Sequence, residues 1–180
     1  MFLNPQKPIH IVEQGSIKNQ VILRNFSIED INDFLEWATD DEVTKYLLWD
    51  SYKCKSDAEQ FFVNVISKHS WFKAICLDQK VIGSITLDKG KGVYSCKAEL
   101  GYVVARNYWG RGYASRAVKE VLKTGFQDLD IQRIEAFVDP ENIASQKVLE
   151  NCGFRKEGYL RNYILHKGVL RDRVLFAISR

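Results

Sequence analysis

Two glycines one residue apart, Gly110 and Gly112, constrain the fold more than any other feature of this chain. The apolar run 100–105 before them is predicted to be a strand. The first amides of a helix lack intrahelical acceptors, and the helix dipole is positive at that end. A glycine turn between a strand and a helix is either a plain connection or a phosphate-binding site, to which Arg111 and Arg116 would add positive charge. The apolar residues after the glycines repeat at helical spacing: Ala114, Ala117, Val118, Val121 and Leu122.

The composition indicates one ordinary globular domain rather than a nucleic-acid binder. Basic residues number 26 and acidic residues 23, and the resulting net charge of +3 is too small to indicate nucleic-acid binding. A local excess of positive charge would still suit a small polyanion. The cysteines are scattered without a paired CxxC spacing, which predicts neither a zinc site nor a disulfide framework. They are Cys54, Cys76, Cys96 and Cys152.

The N-terminal residues 1–18 contain two prolines and few apolar residues, and we expect them to form a flexible lead-in to a single domain over 19–180. The first residues lack the order of a signal peptide. No apolar run approaches the roughly 18 residues that a membrane span requires. These features predict a cytoplasmic protein, with a nuclear location as the other option, and no membrane partner.

The periodicity along the chain predicts a mixed α/β (α+β) fold. A strand at 21–24 precedes a helix capped by Ser27, a short helix over 41–48 and a third helix capped by Ser56. Three antiparallel strands, a helix, a strand, a helix and two strands follow. His166, in the last turn, is expected at the surface. The elements together predict a mostly antiparallel mixed sheet of about seven strands with helices on both faces.

A second informative stretch begins at Asn142 and has the pattern Asn142-x-x-Ser145, an apolar helical turn, and then Gly153-Phe154. Residues three apart lie on one side of a helix. In isolation, a structural role is favoured, because Asn is a good N-cap and Ser is tolerated in a first turn.

Taken together, the two stretches resemble the GNAT acyl-CoA-dependent N-acetyltransferases, and within them the RimJ/RimL-like branch. The motifs are Tyr-Trp-Gly-Arg-Gly-Tyr-Ala and, further on, Asn-x-Ala-Ser-x-Lys-Val-Leu-Glu-x-x-Gly-Phe, and the resemblance extends over 21–178. It implies a GNAT-like fold and an enzyme that transfers an acetyl group from acetyl-CoA to a primary amine. The acceptor would be a protein N-terminus or a small-molecule amine, attacking directly in a ternary complex without a metal. A monomer or a homodimer is expected.

The resemblance also implies which residues bind coenzyme A. Val103 and Val104 would pair with the pantetheine arm through their backbones, the Val104 amide would steady the thioester oxygen, and Asn142 would hydrogen-bond the pantetheine. The family prefers Gln or Arg three residues before its glycine core, where this chain has Asn107 or Trp109 depending on the alignment. That departure affects side-chain contacts to phosphate and leaves the backbone contacts intact. The pyrophosphate would be bound by the backbone of Trp109, Gly110, Arg111, Gly112, Tyr113, Ala114 and Ser115.

For the chemistry, Glu99 lies where several GNAT enzymes carry a strand glutamate as general base. An interior charge is costly unless it has a use, although Glu99 could instead face solvent or pair with a lysine. Glu135, one strand over, is the competing base. The usual tyrosine acid is replaced by Leu149, which leaves Ser145 as the hydroxyl nearest the expected sulfur. Three other hydroxyls stay open for that role: Tyr102, Tyr108 and Tyr163.

The acceptor is expected to enter between 48–55 and 163–171, where Trp49 and Tyr52 either line it or pack in the core. Two other functions compete. A non-catalytic acyl-CoA-binding regulatory module would retain the cofactor site alone. An NAD-dependent oxidoreductase is suggested because Gly110-x-Gly112-x-x-Ser115 is one residue short of the dinucleotide fingerprint. Antiparallel strands before the turn argue against the latter.

Overall fold

A seven-stranded sheet organises the computed structural model, which describes residues 20–180. The flexible lead-in expected over 1–18 lies outside the described residues. The strands of the sheet are β1 (Val21–Asn25), β2 (Phe72–Leu77), β3 (Lys80–Lys89), β4 (Lys97–Val104), β5 (Arg133–Val138), β6 (Arg155–His166) and β7 (Val169–Ser179). Their spatial order is β1-β2-β3-β4-β5-β7-β6, and every neighbouring pair is antiparallel except β4 and β5. The predicted mostly antiparallel mixed sheet is therefore confirmed.

Helices cover both faces of the sheet, as the sequence predicts. They are α1 (Ile31–Ala38), α2 (Asp41–Thr44), α3 (Lys55–Asn64), α4 (Tyr113–Asp128) and α5 (Ile143–Asn151). Helices α4 and α5 share one core with the sheet, while α1 and α3 belong to a second, aromatic-rich core. Within residues 20–180, none of the helices has the length and apolar character needed to span a membrane.

The short segments differ from the sequence predictions where side chains and distant contacts override local propensity. Helix α2 ends at Thr44 instead of extending to residue 48. The N-cap of α3 is Cys54 and not Ser56, because Asp57 Oδ2 accepts hydrogen bonds from the amides of Cys54 and Lys53. Ser27 does cap a turn, but that turn is a 3-10 segment over 28–30 that leads into α1.

The parallel strands β4 and β5 part towards their carboxyl ends. They pair over three residues, the last of which is Glu99 opposite Glu135. Beyond that point, residues 100–104 of β4 pair with β3, and residues 136–138 of β5 pair with β7. Since neither strand end has the other as its neighbour, a cleft opens between them in the middle of the sheet.

Candidate active site

The end of β4 presents backbone groups to this cleft. The Ala105 amide donates to the Ile82 carbonyl oxygen at 2.8 Å, across the pairing with β3. Because backbone groups alternate along an antiparallel ladder, those of Val103 also point to β3, whereas those of Val104 and Tyr102 point into the cleft. The Val104 carbonyl oxygen accepts a hydrogen bond of 2.6 Å from Trp109 Nε1. The Val103 side chain packs on the face of the sheet opposite to that of Val104, against the aromatic-rich core.

The glycine turn lies at the open end of the cleft. Gly110 and Gly112 have φ angles of +71° and +76°, which favour glycine. Among the described residues, a Cβ at either position would meet no heavy atom within 4 Å, so the conformation and not crowding requires glycine. Gly112 is the N-cap of α4, whose first amides receive no side-chain cap from residues 20–180. This exposed turn can therefore offer unpaired amides to an anion.

Helix α5 forms the opposite wall. Asn142 is its N-cap, and Asn142 Oδ1 accepts a hydrogen bond of 3.1 Å from the Ser145 amide. The Tyr102 hydroxyl of β4 donates to the Ser145 carbonyl oxygen at 3.1 Å and so links the two walls. Burial raises the pKa of Tyr102 above its ordinary value, more than the hydrogen bond to Ser145 lowers it, so this hydroxyl stays protonated. Leu149, in place of the family tyrosine, is fully buried in the core.

Three carboxylates form a row across three strands where β4 and β5 part. Asp88 of β3 is the register partner of Glu99, which in turn lies opposite Glu135. Glu135 is buried and receives Lys97 Nζ at 2.6 Å and Arg133 Nε at 2.8 Å. Burial alone would raise the pKa of Glu135, but these two cations outweigh it and lower the pKa.

Glu99 behaves differently from Glu135. Its expected interior position is wrong, since the side chain lies on the exposed surface of the sheet. The protein around it still removes enough water to raise the pKa of the carboxyl group, and the carboxylates of Asp88 and Glu135 raise it further. Lys97 opposes this shift without reversing it. Of the two glutamates in the row, Glu99 therefore has the stronger affinity for a proton.

The two segments expected to border the acceptor are in contact. His166 is buried, contrary to the surface position expected for it, and its Nε2 lies 2.7 Å from the Leu47 carbonyl oxygen. Lys167 Nζ donates to the Thr44 carbonyl oxygen at 3.1 Å and lies 3.3 Å from Asp50 Oδ1. The tip of the β6–β7 hairpin thus closes on the segment that follows α2.

Aromatic side chains line this side of the molecule. Trp49 and Tyr52 stack with ring centroids 4.8 Å apart, and both pack against Phe34 of α1. Burial, with a smaller effect of the Asp57 charge, raises the pKa of Tyr52 to about 12. Trp49 and Tyr52 are only partly buried, so their packing role leaves ring surface accessible.

Sequence reasoning missed Asp88, His69 and the contact of Tyr102 with α5. Asp88 follows Ser84 and Thr86 on the polar side of β3, opposite Ile85 and Leu87. That alternation, combined with the antiparallel pairing of β3 and β4, was the available signal. Within residues 20–180, no group of three or more His, Cys, Asp or Glu side chains is arranged to hold a metal ion.

The site thus combines a mixed sheet that opens between two parallel strands, a glycine turn with unpaired amides at one end of the opening and a carboxylate at the other. The chain belongs to the GNAT acetyltransferase family. Residues 20–155 match the family described as Acetyltransferase (GNAT) domain.

Similar proteins agree with this assignment. An uncharacterized N-acetyltransferase, p20 of Bacillus licheniformis, is 36% identical over 170 residues, which cover 89% of this chain and 93% of that protein. A GNAT-family acetyltransferase from Bacillus anthracis superposes with a TM-score of 0.80 at 29% identity, covering 90% of this chain and 96% of the other. RimJ of Mycobacterium smegmatis, solved with CoA-disulfide, gives 0.74 at 28% identity, covering 88% and 81%. The likeness to RimJ agrees with the predicted branch.

Proposed function

We propose that this protein transfers an acetyl group from acetyl-CoA to a primary amine by direct attack within a ternary complex. The observation that carries the proposal is the cleft between β4 and β5. It has backbone amides at the glycine turn, the backbone of Val104 along its wall, and the Glu99 carboxylate where the strands part. Donor and acceptor can therefore meet in one opening from opposite sides.

The glycine turn fits the pyrophosphate of coenzyme A. Amides of residues 110–115 around the start of α4 would hold its oxygens, and the open space where a Cβ would stand lets the backbone approach them. The amide of Trp109, which the resemblance included in this set, already donates to the Arg106 carbonyl oxygen at 3.1 Å. Val104 would pair with the pantetheine arm and direct its amide to the thioester oxygen. Since the backbone of Val103 points to β3, the contribution of Val103 is reduced to the packing of its side chain. The Nδ2 group of Asn142, which the helix cap does not require, would donate to the pantetheine.

Glu99 is the proposed general base. An amine attacks a thioester only in its neutral form, and an α-amino group with a pKa of about 7.7–8.0 loses its proton more easily than a lysine at about 10.4. Because the pKa of Glu99 is raised, it lies closer to the pKa of either kind of amine, and this favours proton transfer from the amine to the carboxylate. Glu135 is a weaker candidate because Lys97 and Arg133 already stabilise its charge.

The thiolate that departs needs a hydrogen-bond donor, and Ser145 is the proposed one. Its hydroxyl belongs to the first turn of α5, beside Asn142 at the cleft wall. Tyr102 is the second hydroxyl in this region, but it already donates to the Ser145 carbonyl oxygen. No cysteine nucleophile is required, because the acetyl group passes directly from sulfur to nitrogen.

The acceptor would approach from the side of the aromatic residues Trp49 and Tyr52. RimJ/RimL-like proteins act on protein N-termini and small amines, and both classes are proposed for this chain. We place the reaction in the cytoplasm, where acetyl-CoA is available, with the protein acting as a monomer or a homodimer.

A thiol-release assay tests the proposal with acetyl-CoA and a panel of N-terminal peptides, polyamines and aminoglycosides. Turnover with at least one amine is the expected result. Calorimetric titration with acetyl-CoA and with NAD is the companion measurement. Coenzyme A binding without turnover across the panel would favour a non-catalytic module, while NAD binding without coenzyme A binding would exclude the acetyltransferase.

A further inference from the structure

We propose that Asp88, which lies in contact with His69, sets the pH range over which Glu99 accepts the proton of the acceptor amine. Asp88 would be a positioning residue that acts through Glu99 and does not contact the substrate. The proposal rests on the assignment of Glu99 as the base.

The sheet register places Asp88 and Glu99 side by side. They are direct partners in the antiparallel pairing of β3 and β4. The neighbouring pair, Leu87 and Leu100, is buried on one face of the sheet, so the side chains of Asp88 and Glu99 lie on the opposite face. Directly opposed residues have Cβ atoms about 5 Å apart, and like charges at that distance repel each other. A charged Asp88 therefore makes the ionised form of Glu99 less favourable.

His69 lies against Asp88. Its Nδ1 accepts a hydrogen bond of 3.0 Å from the Trp71 amide, so the proton of a neutral His69 must be on Nε2. That Nε2 lies 2.7 Å from Asp88 Oδ1, within ion-pair distance, but it makes no aligned hydrogen bond to any of the described residues. The His69 side chain is mostly buried against Phe72, with only 14% of its surface exposed, whereas Asp88 remains open to solvent. Contact with the imidazole thus limits where the Asp88 carboxylate can lie and leaves it exposed beside Glu99.

The other charges that face Glu99 are compensated. On β5, Glu135 is paired with Lys97 of β4 and with Arg133. Arg133 also binds Glu157 of β6. Lys97 lies two residues from Glu99 and attracts it, but its ammonium group is 2.6 Å from Glu135. Among residues 20–180, Asp88 is the flanking carboxylate that forms no ion pair with a lysine or an arginine.

The test compares the pH dependence of turnover in three variants. For Asp88→Asn, the acid limb of the kcat profile should move to lower pH by about half a unit to one unit, because a repelling charge is gone. For His69→Ala it should move to higher pH, since Asp88 loses its partner. Glu120→Gln removes a carboxylate from α4, on the opposite face, and should leave the limb where it is. High salt should shrink both shifts.

A second measurement does not depend on finding an acceptor. The carboxyl 13C resonance of Glu99 is followed by NMR as a function of pH in the wild type, in Asp88→Asn and in Glu120→Gln. A lower titration midpoint in Asp88→Asn alone supports the proposal. Coincident midpoints in all three proteins would overturn the proposal for Asp88. They would do so even if Glu99→Gln lost the acid limb of its pH profile, which would still support Glu99 as the base. Absence of turnover with every amine would instead count against the proposed function.

Discussion

At the scale of single residues, the structure gives different surroundings to the two glutamates that the sequence offers as bases, Glu99 as the first candidate and Glu135 as its competitor. Glu99 and Glu135 are register partners on neighbouring strands, yet their environments push their proton affinities in opposite directions. The cations around Glu135 make it a stable ion-pair member. Glu99 lies between two carboxylates, and this is the arrangement that favours proton uptake. Which glutamate receives the cations depends on side-chain packing across three strands, and no local pattern encodes it.

Replacement of Glu99 by Gln should reduce turnover mainly at pH values below the pKa of the amine. The base must be deprotonated to act, so wild-type activity should fall as the pH drops through the raised pKa of Glu99, and the two proteins should converge below it. At high pH the amine is already neutral and the base matters less, whereas between the pKa of Glu99 and that of the amine the loss should reach about 100-fold. Stopped-flow or steady-state thiol release across pH measures this effect. Acetyl-CoA affinity should be unchanged, and equal losses at all pH values would remove Glu99 as the base.

The same substitution should stabilise the protein at neutral pH. A carboxyl group whose pKa is raised in the folded state binds a proton more tightly there than in the unfolded state. It therefore costs no stability in acid and lowers stability as the pH rises through the folded-state pKa. Since Glu99 is exposed, solvent screening limits the gain in Glu99→Gln to under about 1 kcal/mol. Urea denaturation at pH 8 should reveal the difference, and the two proteins should converge near pH 3.

At the scale of elements, the unit formed by β4, the glycine turn and α4 was predictable because its signals are local. An apolar strand, two glycines at positive φ and a helical repeat follow one another along the chain. The end of α2 was not predictable in this way. It is set by the Thr44 and Leu47 carbonyl groups, which are bound by residues more than 100 positions away. The row of carboxylates likewise required the register of the sheet.

A methyl group at Gly112 tests the glycine turn as an element. Gly112→Ala should destabilise the fold by about 1 kcal/mol, because alanine is strained at a φ of +76°. It should also weaken acetyl-CoA binding about tenfold, since the new Cβ points into space that the pyrophosphate would use. Thermal unfolding and calorimetry measure the two effects.

Gly158→Ala is the matched control for this element. Gly158 lies in β6, and a Cβ there would also meet no described atom within 4 Å, but its φ is not positive. It should change neither stability nor coenzyme A affinity appreciably. If Gly112→Ala bound acetyl-CoA as tightly as Gly158→Ala does, the turn would not be the pyrophosphate site.

At the scale of the whole molecule, the proposed donor and acceptor sides come from different parts of the chain. The proposed donor side uses β4, the glycine turn, α4 and α5, which are close in sequence. The acceptor side joins the segment after α2 to the tip of the β6–β7 hairpin, through Lys167 and His166. The Leu47 carbonyl oxygen can only accept, so His166 Nε2 must carry a proton to bond with it. Family resemblance anticipated that these two segments lie together, but not the residues that join them.

Removal of the Lys167 side chain should loosen the acceptor side without affecting the donor side. The ion pair with Asp50 contributes little because Asp50 is 84% exposed, so the hydrogen bond to the Thr44 carbonyl oxygen provides most of the restraint. In Lys167→Ala the segment after α2 would have to be ordered when the acceptor binds, and KM for the amine should rise about three- to tenfold. The dissociation constant for acetyl-CoA should stay at its wild-type value. Lys156→Ala removes an exposed lysine from β6, the strand that precedes Lys167, and should alter neither quantity. A parallel loss of acetyl-CoA affinity in Lys167→Ala would show that the two sides are not independent.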